Sequence, residues 1–373
     1  MADLPIGLYI HVPFCDGKCP YCDFYSAPAP EEERARYTDA LCCALAEWGA
    51  RLRRPVDTIY FGGGTPVLLG GARLVRILNA ARAAFRVASD AEITVEANPA
   101  AAQEALFAAL RTGGFNRLSM GLQSANEAEL RFLGRRHTAQ QAADAVRAAR
   151  AAGFDNISLD LMLGLHGQTD ASLRRSVKFC AALGVEHISA YILKVEPGTA
   201  FGARAASLDL PDDDAQAALY HTACTALRTA GYRQYEISNF ARAGRESRHN
   251  LKYWHDEEYL GLGPSAHSFL NGRRFFYPCS RAEFLRGIPP QLDGPGGDFA
   301  EYAMLALRLA EGLREDRCQA RFGCGIPPQM RRAAAPLAAH GLLRMSAAAI
   351  ALTEDGFLVS NSVIETLLET LDA

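Results

Sequence analysis

The chain has 373 residues, 49% of them hydrophobic, and a formal net charge of -3 at pH 7. That length suits one large domain with a smaller one, and a near-neutral charge with scattered arginines argues against nucleic acid as a partner. No run approaches about 18 consecutive apolar residues, and "MADLPIGLYI" does not resemble a signal peptide, so we expect a cytoplasmic globular protein without a membrane span.

Short strand-like runs alternate with amphipathic helical segments from about residue 8 to about residue 230. The predicted strands are "LYIHV", "DTIYFGGG", "EITVEANP", "RLSMGLQS", "ISLDLMLGL" and "HISAYILKV". Six successive strand-then-helix units predict parallel strands with right-handed crossovers. The expected fold class is α/β, as a partial (β/α)6 barrel over residues 1–235, and a doubly wound sheet is the alternative.

The rhythm changes after residue 235. Residues 236–290 are predicted to extend the barrel, and the Pro- and Gly-rich stretch at 287–298 is typical of a linker. Residues 299–373 contain two helical patterns and then "LLRMSAAAIALTEDGFLVS", which indicates a hairpin. We therefore expect a small winged-helix-like domain at the C-terminal end.

Unusual polar residues recur at the carboxyl ends of the predicted strands. They are Cys15, Gly62, Gly63, Gly64, Thr65, Glu96, Asn98, Gln123 and Asp160. Ligands of parallel barrels bind at that face. Any one of these residues could instead cap a helix or form a turn, but their shared position predicts a binding site on this rim.

Three cysteines, Cys15, Cys19 and Cys22, follow the first strand in "HVPFCDGKCPYCDFYS". A closed structural zinc site takes four ligands, so zinc would need His11 as the fourth. A cube of four irons held by only three thiolates leaves one iron open to a small chelating molecule. The spacing favours this second interpretation, and the other seven cysteines fit core positions or are too dispersed to form a local site.

The Cys-x3-Cys-x2-Cys spacing resembles that of the radical S-adenosylmethionine (SAM) superfamily. This resemblance implies a 4Fe-4S cluster whose open iron takes the amino and carboxylate groups of SAM, with electron transfer able to produce a 5′-deoxyadenosyl radical. "FGGGTP", "VEANP", "NRLSMGLQS", "LGRRHT", "QYEISNFA" and "GLGPSAH" resemble, more narrowly, the family of oxygen-independent coproporphyrinogen III oxidases and HemW haem chaperones. The similarity spans roughly residues 5 to 365.

This resemblance also implies the residues that contact SAM. They are Tyr9, Tyr21, Gly63, Gly64, Thr65, Glu96, Gln123, Arg135, Asp160, Lys194 and His267. Glycines allow close backbone approach to the methionine end, Glu96 would accept hydrogen bonds from ribose hydroxyls, and Arg135 suits a carboxylate.

Three features favour the haem-chaperone branch over the oxidase branch. Phe24 stands where the oxidases carry a further cysteine, and the first cluster cysteine already lies at position 15, without their N-terminal extension. "HNLKYW" at 249–254 also matches a motif associated with haem binding in this branch. The motif implies a haem site at His249, Asn250, Tyr253 and Trp254.

Histidine is a good axial ligand for haem iron, and aromatic rings can pack against the macrocycle. His255 and His267 are alternative ligands, and His249 could instead be an ordinary hydrogen-bonded loop residue. His166, where relatives carry proline, is a weaker candidate for a metal or haem ligand.

The resemblance as a whole implies a chaperone that binds haem, a 4Fe-4S cluster and SAM. Its partners would be haem and an acceptor haem protein such as a respiratory enzyme, with transient membrane contact through that acceptor and a homodimer as further expectations. Two rival hypotheses are decarboxylation of coproporphyrinogen III propionates and radical chemistry on an unrelated substrate.

Overall fold

Six parallel strands, paired in chain order, form the centre of one mixed sheet that has 12 strands among the described residues. The computed structural model describes residues 4–101 and 104–371, so residues 1–3, 102–103 and 372–373 of the predicted domains lie outside it. The six strands are β1 (Ile6–Val12), β2 (Pro55–Gly63), β3 (Arg86–Ala97), β4 (Arg117–Gln123), β5 (Ile157–Leu163) and β6 (His187–Ile192). The predicted partial (β/α)6 barrel is confirmed.

Helices connect these strands and cover the outer face of the barrel. They are α1 (Glu31–Leu52), α2 (Gly71–Ala84), α3 (Glu104–Gly113), α4 (Glu127–Phe132), α5 (Ala139–Ala151), α6 (Asp170–Ala182) and α7 (Asp213–Thr229). Local sequence sets where α5 and α6 begin, because Thr138 and Thr169 each form a capping box with the residue three positions later.

The sheet continues beyond the barrel at both edges. The additional elements are β7 (Arg233–Gln234), β8 (Asn239–Ala241), α8 (Arg248–Trp254), β9 (Tyr259–Leu262), β10 (His267–Leu270), β11 (Arg273–Phe276), α9 (Arg281–Leu285) and β12 (Gln291–Pro295). Strand β9 pairs in parallel with β1, and β10, β11 and β12 follow it as antiparallel strands. The linker prediction for 287–298 was wrong at β12, because Pro and Gly are tolerated in an edge strand such as this one.

The C-terminal segment packs helices against a small sheet. Its elements are α10 (Phe299–Ala306), β13 (Leu313–Arg314), α11 (Glu315–Phe322), α12 (Pro328–Ala339), β14 (Leu343–Met345), β15 (Ala349–Leu352), α13 (Glu354–Leu358) and α14 (Ser360–Leu368). The sheet order β13-β15-β14 fits the winged-helix-like prediction. The hairpin is β14–β15, and the chain then enters α13, which Thr353 caps. In the described part of the chain, no helix is long and apolar enough to cross a membrane.

The two faces of the barrel strands differ in polarity. In β1, the fully buried side chains of Ile6, Leu8 and Ile10 belong to the hydrophobic core. The alternate positions, Tyr9 and His11, point the other way, into the barrel lumen, because successive strand residues face opposite sides. The apolar core therefore lies between strands and helices, and the lumen is left for polar groups.

Candidate functional site

The three cysteines lie together on the loop after β1, at the barrel mouth. All three are half-buried and free, and the amide of Cys22 donates to the carbonyl of Cys19 at 3.0 Å. Burial raises the pKa of the Cys22 thiol, and the nearby Cys19 and Cys15 raise it further. Among the residues described, no three Cys, His, Asp or Glu side chains form a ready site for a single metal ion.

The loop's surroundings suit an anionic iron–sulfur cluster. The Arg135 guanidinium lies 3.7 Å from Cys19 Sγ, and the Thr65 hydroxyl lies 3.9 Å from Cys15 Sγ. His11 does not complete a zinc set, since its Nδ1 bonds the Tyr9 hydroxyl and its Nε2 donates to a backbone carbonyl. A cleft of about 730 Å³ opens beside Cys15, Cys19 and Arg135. Three thiols with a cation and open space beside them fit a cluster with one unligated iron.

The glycines of "GGGTP" hold the cysteine loop against β2. A Cβ on Gly63, whose φ is +111°, would lie 2.6 Å from the His11 ring, and one on Gly64 would lie 2.5 Å from the Phe14 carbonyl oxygen. The amide of Gly63 donates to Glu96 and that of Gly64 to the Val12 carbonyl. The amides of Gly63 and Gly64 are therefore engaged within the protein, and the glycines act here through close packing.

Glu96 lies in the lumen, where two groups donate to its carboxylate. The Tyr60 hydroxyl bonds one oxygen at 2.8 Å and the Gly63 amide bonds the other at 3.2 Å. Burial raises the pKa of Glu96 to about 7, with the nearby Asp160 adding to the rise, while Tyr60, Gly63 and Arg117 oppose it. Glu96 is thus poised to change charge near neutral pH.

The strands that follow β3 in the sheet, β4, β5 and β6, contribute Gln123, Asp160 and Tyr191. Gln123 adopts a left-handed backbone (φ +69°), rare for a residue with a side chain, and its amide oxygen accepts from the Tyr191 hydroxyl at 3.0 Å. Burial raises the pKa of Asp160 to about 6, opposed by Ser189 and by Arg135 and Arg117. Two carboxyls in the lumen, on strands that both pair with β4, give it a charge that depends on pH.

Arg135 ties the cysteine loop to the lumen wall. Its Nη2 donates to the Gly121 carbonyl at 2.6 Å, and its Nη1 reaches the Tyr21 hydroxyl at 3.4 Å as well as Cys19. Its Nε is buried without a hydrogen-bond partner in the described structure. A buried unsatisfied donor at a binding mouth is a position where a ligand acceptor would be stabilised.

Two other predicted SAM residues lie outside this lumen cluster. The side chain of Lys194 is 81% exposed and forms an ion pair with Glu196 at 2.7 Å. His267 is exposed at the start of β10, where its ring stacks on Phe276. The remaining predicted contacts converge on the barrel mouth and the lumen below it.

Sequence reasoning missed several inward-facing groups. They are Thr58, Tyr60, Glu92, Arg117, Ser158, His187, Ser189 and Tyr191. The signal was present, because "ISLDLML" and "HISAYI" place polar residues at every second position of strands that are otherwise apolar. Such alternation predicts a strand with one polar face, and six of them together predict a polar lumen.

The segment "HNLKYW" forms α8 and places His249 inside the barrel. The ring is 1% exposed, with Nδ1 2.8 Å from the Thr58 hydroxyl and Nε2 2.8 Å from the Tyr253 hydroxyl. Burial lowers the pKa of His249 to about 3, and Lys252 and Arg117 add to the effect. Asn250 and Trp254 are only half-buried. His249 is therefore neutral, and both of its ring nitrogens are occupied by protein partners.

Helix α8 is fixed at both ends. At its N-terminus, the Glu92 carboxylate accepts from the amides of Arg248 and His249. At its C-terminus, the buried Asp256 carboxylate bonds Arg274 on β11 at 2.9 Å and Arg321 on α11 at 2.6 Å. The helix thus joins the barrel to the C-terminal segment.

Known proteins resemble this chain in sequence. The sequence pattern of the radical SAM superfamily matches residues 9–180. A protein named heme chaperone HemW from Mycobacterium tuberculosis is 40% identical, covering 99% of this chain and 96% of its own. The protein of that name from Escherichia coli is 38% identical, covering 98% of each chain.

A solved structure resembles the whole chain. Coproporphyrinogen III oxidase (HemN) from Escherichia coli, a radical SAM enzyme, matches with a TM-score of 0.84 at 24% identity, covering 100% of this chain and 91% of that one. That likeness shows the fold, and the sequence similarity to the two HemW proteins shows the family. The chain belongs to the HemW family within the radical SAM superfamily.

Proposed function

We propose that this chain is a cytoplasmic haem chaperone that binds haem and transfers it to an acceptor haem protein. Cys15, Cys19 and Cys22 would hold a 4Fe-4S cluster, which when bound can supply one electron to the sulfonium of SAM. The observation that carries the proposal is the full-length similarity to proteins named heme chaperone HemW.

The surface beside the cysteine loop also supports a role in handing cargo to a partner. Phe24, two residues after the last cysteine, is 66% exposed. An exposed aromatic ring on the edge of a site suits contact with an apolar ligand or another protein. In the oxidase branch a cysteine is expected at this position, and this chain carries an exposed aromatic ring there instead.

Different groups of the site would bind different parts of SAM. Arg135 offers its unpaired Nε to a carboxylate, and Glu96 offers acceptor oxygens to ribose hydroxyls. Tyr60 and Gly63 fix the orientation of the Glu96 carboxylate before the ligand arrives. The carboxyls of Glu96 and Asp160 suit a ligand that carries positive charge.

The test is to reconstitute the cluster anaerobically and measure iron, sulfide, haem uptake and coproporphyrinogen III turnover on the same preparation. We expect about four irons per chain, stoichiometric haem uptake, loss of that haem to an added apo-haem protein, and no decarboxylation. Turnover of coproporphyrinogen III would replace the chaperone proposal with the oxidase. A colourless protein without iron would overturn the cluster.

The affinity for SAM should increase with pH through the titration of Glu96. Ribose hydroxyls donate best to the ionised carboxylate, and its pKa of about 7 means that affinity rises about tenfold from about pH 6 to about pH 8. Equilibrium dialysis of cluster-loaded protein measures this. The Glu96→Gln variant still contains Asp160, which titrates in the same pH range. The difference between the pH dependence of SAM affinity in the wild type and in this variant therefore reports Glu96 alone. Equal pH dependence in both would contradict the assignment.

A further inference from the structure

One histidine has no hydrogen-bond or ion-pair partner at either ring nitrogen among the residues that the structure describes. All nine histidines lie in the described ranges. Eight of them form at least one hydrogen bond or ion pair through the ring, and they are His11, His137, His166, His187, His221, His249, His255 and His340. Within the described ranges, the ring of His267 forms neither a hydrogen bond nor an ion pair, and the residue is exposed to solvent. Both of its ring nitrogens are therefore open to an external Lewis acid.

His249 in the haem motif and His255 directly after it are both occupied. His249 is buried with both nitrogens hydrogen-bonded, so ligation of an external iron would require α8 to leave the barrel. Nδ1 of His255 accepts a hydrogen bond from the Arg317 guanidinium at 2.6 Å. Burial, together with the charge of Arg317, lowers the pKa of His255 to about 4. A ring nitrogen that already accepts a hydrogen bond has no lone pair to offer to a metal.

His267 lies on the same face of the sheet as the SAM residues. Tyr9 on β1 pairs with Gly261 on β9. Tyr259 lies two residues before Gly261, on the same face of β9, and pairs with Phe269 on β10. His267 is two residues before Phe269 and so shares this face. With strands about 4.8 Å apart, β10 lies about 10 Å from β1 across the sheet. The ring is therefore a neighbour of the lumen mouth.

Phe276 restricts the orientation of the His267 ring. The two residues are paired across β10 and β11, and their rings stack with centroids 5.2 Å apart at 26°. Stacking limits rotation of the imidazole while leaving its edge, which carries the nitrogens, free. Gly261 allows this arrangement, because a Cβ there would lie 2.1 Å from the His267 carbonyl oxygen.

We propose that His267 is the axial ligand of the iron in the haem cargo, which docks at the mouth side of β10 and β11. The inference rests on the haem-binding function proposed above and names its ligand. A neutral imidazole nitrogen donates its lone pair to the iron and displaces a water molecule, so no change in oxidation state is involved. His249 then serves as a buried part of the barrel floor.

Haem titration into four proteins tests the assignment: wild type, His267→Ala, His249→Ala and His166→Ala. The last is the matched control, an exposed histidine that follows β5 and bonds a backbone carbonyl. We expect His267→Ala to lose the histidine-ligated absorption and resonance Raman signature and to bind haem at least about tenfold more weakly. The other two variants should keep the wild-type spectrum, and added imidazole should restore it in His267→Ala.

The outcomes separate this inference from the function it builds on. If wild type binds haem and His267→Ala keeps the same spectrum, or if His249→Ala alone loses it, the ligand assignment is wrong while the chaperone proposal stands. If wild type takes up no haem, the proposed function itself fails. SAM affinity measured on His267→Ala shows whether the same ring also contacts the nucleotide.

Discussion

Cys19→Ala should abolish the cluster. Iron content after anaerobic reconstitution should fall from about four atoms per chain to near zero, because the cube would lose one of its three thiolates. Cys19 also has a cation 3.7 Å from its sulfur, so its replacement removes the thiolate that Arg135 would stabilise. Iron and sulfide assays, with the absorption spectrum of the brown chromophore, measure the loss.

Cys43→Ala is the matched control, since Cys43 is an exposed free cysteine on α1. It should keep wild-type iron, sulfide and colour. SAM binding should disappear in Cys19→Ala and persist in the control, because the open iron supplies the chelation of the methionine end. Equal iron content in the two variants would show that the cysteine loop holds no cluster.

Asp256→Asn should be the most destabilising single substitution at the junction with the C-terminal segment. The carboxylate is fully buried and pairs with both Arg274 and Arg321, so the substitution removes the charged partner that the two guanidinium groups share. Breaking a buried ion pair from one side costs about 3–5 kcal/mol in the free energy of unfolding. Urea unfolding at about pH 8 is the measurement, because burial raises the pKa of Asp256 to about 6 and the group is ionised there.

The control is Asp316→Asn on α11. Asp316 pairs with Arg314, but its side chain is 66% exposed, and water replaces such a partner at little expense. This variant should unfold close to the wild-type urea midpoint. If Asp256→Asn did the same, the buried network would contribute little, and the other contacts of the C-terminal segment would have to hold it in place.

The network has a consequence for the haem motif. Arg321 also donates to the backbone carbonyls of His255 and Asp256, directly after α8. Charge-assisted bonds thus hold the C-terminal end of α8, while Glu92 and the neutral bonds of His249 hold its N-terminal end. Weakening of the Asp256 network should therefore loosen α8, which amide hydrogen exchange of residues 248–254 would report.

Much of this molecule could be predicted from local sequence. β-branched and aromatic runs bounded by glycine identified the six barrel strands, and the alternation with amphipathic helices implied parallel pairing. Spacing alone brought Cys15, Cys19 and Cys22 together, because residues three or four positions apart on one loop cannot be far from each other. Glu96 and Asp160 were predictable too, since the carboxyl ends of parallel strands meet at one rim.

Contacts between distant residues were decided only by the tertiary structure. Whether His249 faces solvent or the lumen depends on how α8 docks under β2, and Thr58 lies 191 positions away from it. His267 was one of several candidate ligands in the sequence, and only the structure showed that His249 and His255 are engaged by protein groups. The stretch predicted as a linker pairs as β12 because β11 offers a free edge. The sequence by itself determines which residues form strands and which loop carries the thiols. Which side chains are buried, and which groups they bond, depends on packing between segments that are far apart in the chain, and local sequence patterns carry no information about that packing.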